Sequence, residues 1–159
     1  MISYDHNTFT LEMATRLRMI QHTSDHPRHF LVNGAEDLSS LDERLLSVSG
    51  PVLIAIDSSE FETSANGADF KMDAVSYAII IASPVTKTDQ HTIEIAVKNS
   101  TAALLQVRNV LIQRYGNLVH GFHFMPTGLI GDSFHGESMD FVFDSMGSYA
   151  PDSSFFLEP

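Results

Sequence analysis

The chain contains no cysteine and no tryptophan. Without thiols it forms no disulfide, no zinc–thiolate centre and no cysteine nucleophile. Basic residues are scarce: nine Lys and Arg stand against twenty Asp and Glu, a formal net charge of −11 with histidine neutral. Such a surface repels phosphate backbones, and no run of Lys and Arg makes a local exception, so nucleic acid is not expected as a partner. Long apolar runs are also missing. The longest, Tyr77 to Ala82, is far too short to span a bilayer, and the opening MISYDHNTFT has no basic segment leading into an apolar one. Neither a membrane partner nor a secretion signal is expected, and the expected location is cytoplasmic.

Two catalytic signatures are missing as well. The stretch Thr127-Gly128-Leu129-Ile130-Gly131 has two glycines but no lysine, so it is not a phosphate-binding loop; a flexible or bulged hairpin connection accounts for it better. No Gly-x-Ser-x-Gly elbow exists, and Ser133 lies so close in sequence to Asp132 and His135 that the three are not expected to form a triad. No catalytic residue and no cofactor is therefore assigned.

What is present reads as one folded domain over 1–159. Its 43% hydrophobic and 18% charged residues distinguish it from a disordered chain. Residues 1–50 read as a helical N-terminal part, 51–145 as a β-β-α-β-β core and 146–159 as a tail. Thr10 to Gln21 has Leu11, Ala14, Leu17 and Ile20 at helical spacing, with Thr10 in capping position. A polar stretch holding Pro27 breaks it, and Phe30-Leu31-Val32 follows as a brief strand or an extended docking segment. Ser40-Leu41-Asp42-Glu43 has the capping-box pattern and heads a short helix stopped at Gly50-Pro51.

Val52 to Ile56 is a continuous apolar run, as expected of a strand buried on both faces. The Asn66-Gly67 turn dipeptide and a strand from Phe70 to Ala82, ended by Pro84, complete a long antiparallel pair. Asp89 to Tyr115 is the main helix, either continuous or broken at Lys98–Thr101 with Ser100 as a second cap; Gly116 ends it. Leu118 to Met125 and Glu137 to Phe143 read as a second strand pair around a loop at Gly128 and Gly131. The expected fold is α+β: an antiparallel or mixed sheet of about four strands, a long helix on one face and two N-terminal helices, with no β-α-β alternation.

Histidine is the unusual component, with eight copies. His120, His123 and His135 flank the glycine loop with Asp132 nearby, and histidine with carboxylate is metal-binding chemistry. Against a metal, the odd separation of His120 and His123 points them to opposite faces of a strand. His26 and His29 are parted by Pro27, so they do not form a helical pair. Asp57, Glu60 and Glu62 follow the first buried strand and read as a solvated turn. In the tail, Phe155, Phe156 and Leu157 form an apolar anchor that packs on its own domain or docks into a neighbour.

By element order, residues 51–145 resemble the small α+β proteins that close or join phage tails, the tail-terminator and tail-completion proteins. The matching stretches are PVLIAI, DAVSYAIIIASP, TAALLQVRNVLIQRYG and MDFVFDS. The resemblance implies an oligomeric ring subunit without enzyme activity, found in a virion if the chain is phage-derived. Two other functions compete: a metal-dependent or small-molecule enzyme using the His120/His123/His135 region, and a regulatory module that captures a protein partner on a sheet edge or through the tail.

Overall fold

A computed structural model of the chain describes residues 4–33, 35–66 and 70–145; of residues 35, 36, 38, 39, 58–66, 70 and 71 it describes the backbone alone. The elements run α1 (His6–Arg16), β1 (His29–Val32), α2 (Ala35–Leu45), β2 (Val52–Asn66), β3 (Phe70–Pro84), α3 (Gln90–Tyr115), β4 (Val119–Ile130) and β5 (Phe134–Ser145). The strands form one five-stranded sheet in the order β1-β2-β3-β5-β4. All neighbours are antiparallel except β1 and β2, which are parallel and paired from His29↔Leu53 to Val32↔Ile56. The fold is therefore α+β with a mixed sheet and a long helix, but with five strands in place of four. The short Phe30–Val32 run supplies the extra strand. With α2 between them, β1 and β2 also form the β-α-β crossover that hairpin reading had excluded.

The first two helices start earlier than the spacing predicts. Asp5 rather than Thr10 caps α1, its carboxylate accepting from the Thr8 backbone N–H at 2.6 Å. Thr10 sits inside the helix, fully buried, and its hydroxyl donates to the His6 carbonyl at 2.7 Å. The helix stops at Arg16, and Ile20 turns back into the core before Gln21, which has φ 52°. At α2 the Asp37 carboxylate accepts from the Asn33 N–H at 3.0 Å, upstream of the predicted box. Ser40 is a mid-helix residue whose hydroxyl donates back to the Asp37 carbonyl at 3.0 Å.

Helix α3 is continuous through Lys98–Thr101. Asp89 caps it by accepting from the His91 N–H at 3.0 Å, Thr101 donates back to the Val97 carbonyl at 2.9 Å, and Gly116 ends it with φ 57°. Ser100 is no cap; it lies on the buried face with Ala96, Ala103 and Leu104. The other predicted turn, at Asn66-Gly67, extends outside the described residues.

Strand alternation divides the core into two layers. Leu53, Ala55, Ile79, Ile81, Met139 and Phe141 point to one face, where α1 and α3 cover them with Phe9, Met13, Leu104, Val107 and Leu111. Val52, Ile54, Ala82 and Phe134 point to the other, where α2 covers them with Leu41 and Leu45. Helices thus occupy both faces, α1 and α3 one and α2 the other. Each fully buried Leu, Ile or Phe contributes about 1.5–3 kcal/mol relative to exposure. The α1 seam is fastened at its rim by Glu12, which accepts from Arg114 at 2.6 and 2.7 Å and from Arg16 at 2.6 Å. Among the described residues, no helix is long and apolar enough to cross a membrane.

Candidate functional site

Helix α2 covers its face of the sheet at one end only. Across β3, β5 and β4 the same face carries Ala78, Ile80, Ser138, Asp140, Val142 and Asp144, matched by the register Ala78↔Asp140, Ile80↔Ser138 and Ser76↔Val142. All six are only half-buried. On β4 the exposed side chains facing the same way are His120, His123 and Met125, opposite Val142, Asp140 and Ser138.

Two histidines three residues apart share this face because the strand is not regular. His120 pairs with Val142 and His123 with Asp140, so three steps on β4 match two on β5. The extra residue is taken up at Gly121-Phe122, where Gly121 has φ 66°. The bulge flips the parity, and the expectation of opposite faces is overturned. A second shift lies between Pro126 and Leu129, where Gly128 has φ 70°. Thr127–Ile130 thus continues β4 through a bulge and is not the hairpin connection expected there; the turn is confined to Gly131–Ser133.

The bulge gives each histidine a carboxylate neighbour. His120 Nε2 lies 2.9 Å from Asp144 Oδ2, in an exposed pair. Asp140 accepts from the Ser138 hydroxyl at 3.1 Å and lies cross-strand from His123. The remaining candidates are elsewhere. Asp132 is in the β4–β5 turn, and its carboxylate, held below the usual range, accepts from Lys87 Nζ at 2.9 Å. Ser133 accepts on its carbonyl from the Val85 N–H at 2.7 Å. His135 lies on the α3 face, level with Ser83 and Leu129, with its Nδ1 buried. Among the described residues no three His, Asp or Glu side chains are placed to hold one metal ion. Asp57, Glu60 and Glu62 lie within β2 rather than in a turn, around a register shift between Asp57 and Phe61. Phe155, Phe156 and Leu157 lie outside the described residues.

A second polar group, which sequence reasoning missed, lies under the N-terminal helix. His6 is buried against the sheet, its Nε2 3.2 Å from the Ala78 carbonyl and its Nδ1 2.7 Å from the Tyr4 hydroxyl. A carbonyl only accepts, so Nε2 carries the proton and Nδ1 accepts from Tyr4. The ring stacks on Tyr77 at 4.6 Å. Burial lowers the His6 pKa from 6.5 to about 4 and pushes the Tyr4 hydroxyl upward. Two strands over, His29 Nε2 lies 3.0 Å from the Thr10 hydroxyl, and its pKa falls to about 4, through burial first and His22 second. Glu137, buried under α3, has its carboxyl raised by desolvation.

The signals for these residues were present but diluted. Asp140, Val142 and Asp144 alternate on one strand, and Gly121 between two histidines marks the bulge. Nothing local to His6 distinguishes it from an exposed histidine, because its burial depends on Tyr77 and Phe141, far away in sequence. No known protein family matches the chain, and no curated protein matches it in sequence.

Proposed function

We propose that the protein is a structural subunit that works by self-association, of the kind implied by its resemblance to phage tail-terminator and tail-completion proteins. The observation that carries this reading is the part of the sheet across β3, β5 and β4 that no described element covers. An antiparallel sheet must bury one face and can leave the other in water, so apolar residues left on the second face favour a further contact. Here one face is buried under α1 and α3, while the other leaves Ala78, Ile80 and Val142 half-buried and Met125 51% exposed. Small and apolar residues fill the middle of that face. Asp140 and the His120–Asp144 pair stand among them, Asp140 between Ala78 and His123 on β5, the middle strand of the three, so a contact here combines apolar and polar groups. A second copy laid on this face supplies the missing layer. On this reading the histidines and carboxylates orient the contact and perform no chemistry, and the protein acts in a virion or in the cytoplasm where particles assemble.

The test is the mass of the particle in solution, measured by light scattering on a sizing column over a wide concentration range. The wild-type chain is expected to form a discrete oligomer. Val142→Lys, which places a charge in the middle of the face, is expected to shift it to monomer with an unchanged far-UV spectrum. Deletion of Ser153–Pro159 tests the separate contribution of Phe155, Phe156 and Leu157. A wild-type chain that stays monomeric at every concentration, with no rings by electron microscopy, removes the reading.

A further inference from the structure

We propose that a cleft at the start of the parallel β1–β2 pair binds the carboxylate of a small organic acid, with Arg28 as its anchor. One wall is the segment entering β1, with Asp25, His26 and Arg28; the other is the segment entering β2, with Ser47, Val48 and Ser49. The two strands run parallel, so both segments reach the same end of the sheet. The first wall is held in place by its backbone. The Arg28 carbonyl accepts from the Leu53 N–H at 2.8 Å, the Arg28 N–H donates to His22 Nδ1 at 2.9 Å, and the His26 N–H donates to the Thr23 hydroxyl at 3.1 Å.

Arg28 is half-buried, and its head is seated rather than free. Nη1 donates to the Ile20 carbonyl at 3.0 Å, and the guanidinium lies against Gly50, where a Cβ would stand 2.6 Å from Cζ. A glycine at this position is what admits the head. A guanidinium carries several N–H donors in one fixed plane, and the Ile20 carbonyl takes only one. Among the described residues no carboxylate lies within ion-pair distance of Arg28, whereas Arg16 and Arg114 share Glu12 and Lys87 holds Asp132. A cation held in position beside a cleft, with donors to spare, is preorganised for an anion.

Size and charge select the anion. The cleft holds about 140 Å³. Pockets for drug-sized ligands run from roughly 300 to 1,000 Å³, so this one takes a small acid and no more. The planar fork of a guanidinium matches the two oxygens of a carboxylate. Ser47, Ser49 and His26 bring further donors to the same cleft. Asp25 also lines it, and the chain carries a net charge of −11. Both oppose a dianion more than a monoanion, which favours a carboxylate over phosphate.

The experiment titrates the isotope-labelled full chain with sodium acetate, sodium phosphate or sodium chloride at constant ionic strength near neutral pH. It follows the amide signals of Ser49 and Gly50 and the Nε–H signal of Arg28 by NMR. A ligand of so few atoms binds no tighter than about 40 µM, so acetate is expected to saturate the site in the millimolar range. Phosphate is expected to bind at least about threefold more weakly, and chloride not to saturate. Gly50→Ala keeps Arg28 but displaces its head, the movable end of a flexible side chain. It is expected to weaken acetate binding at least about fivefold with an unchanged far-UV spectrum. Arg28→Gln is expected to abolish saturation, and Asp25→Asn to tighten binding about twofold. Acetate binding that Arg28→Gln and Gly50→Ala both leave unchanged overturns the proposal. So does an absence of saturation, or phosphate binding tighter than acetate. A tripeptide with a free C-terminus that binds at least about tenfold more tightly than acetate, while its amide does not bind, also overturns it, by assigning the cleft to a protein terminus.

Discussion

Acidification is expected to loosen the chain through His6 before its carboxylates titrate. The folded protein holds this imidazole neutral, with Nε2–H donating to Ala78 and Nδ1 accepting from Tyr4, in an aromatic pocket closed by Tyr77 and Phe141. Protonating Nδ1 removes the acceptor from Tyr4 and places a charge where burial opposes it; Asp5 and the Ala78 carbonyl offset this only in part. The folded pKa of about 4 lies below the unfolded 6.5. Above pH 6.5 both states are neutral and the contribution is complete. As the pH falls from there toward 4, the unfolded chain binds a proton that the folded chain excludes, and stability is lost. The loss is about 2 kcal/mol between about pH 7 and about pH 5, and approaches about 3 kcal/mol below pH 4. His29, whose folded pKa is also lowered to about 4, acts in the same direction. Urea unfolding followed by circular dichroism at the two pH values measures the loss. His6→Gln keeps a donor for Ala78 and removes the titration, so it is expected to be less stable near neutrality and distinctly flatter with pH. Equal pH slopes for the two proteins would refute the assignment of the acid sensitivity to His6.

Other substitutions probe different parts of the fold. Gly136→Ala is expected to cost about 3 kcal/mol or more, because its Cβ would overlap the Ile81 carbonyl oxygen and the Ala82 Cα across the β3–β5 ladder; the soluble yield and the urea midpoint report it. Gly128→Ala meets no atom within 4 Å but must hold φ 70°, so a loss of only about 1 kcal/mol is expected by the same assay. Glu137→Gln is expected to raise the melting temperature at neutral pH and to have little effect below the carboxyl's ordinary pKa. Burial raises its folded pKa, so any stability it contributes is present at low pH and lost as pH rises. Glu12→Gln breaks a partly exposed pair with Arg114 and Arg16, which holds the carboxyl near 2, and is expected to cost no more than about 1 kcal/mol, eliminated in high salt.

The sequence was most legible where one physical signal acted without a competitor. The apolar run Val52–Ile56 is a strand with both faces buried, Leu53 under the layer of α1 and α3 and Ile54 under α2. Helix α3 was bounded correctly by Asp89 and Gly116, a cap at one end and a positive-φ residue at the other. Legibility fell where two residues competed for one role. Thr10 and Asp5 can each cap α1. The acidic residue upstream does so, and burial of Phe9 and Thr10 requires the longer helix. The fifth strand was the least legible. Four residues carry too little pattern to decide a strand, and β1 is fixed by its parallel register on β2 and by Phe30 and Val32 packing against α2.

The candidate site illustrates a more general dependence. Parity along a strand assigns faces only while the ladder stays in register, and each bulge reverses it. The segment from Val119 to Ile130 contains Gly121 and Gly128, and each takes a positive φ at a register shift. Counting one inversion at Gly121 places His120 and His123 together, opposite Val142 and Asp140. Counting none separates them, and the pairing with β5 decides in favour of the first. Two glycines in one amphipathic strand are thus a reason to derive both assignments from the start. The consequence here is chemical, since one assignment scatters the histidines and the other sets them beside Asp140 and Asp144 on the part of the α2 face that no described helix covers.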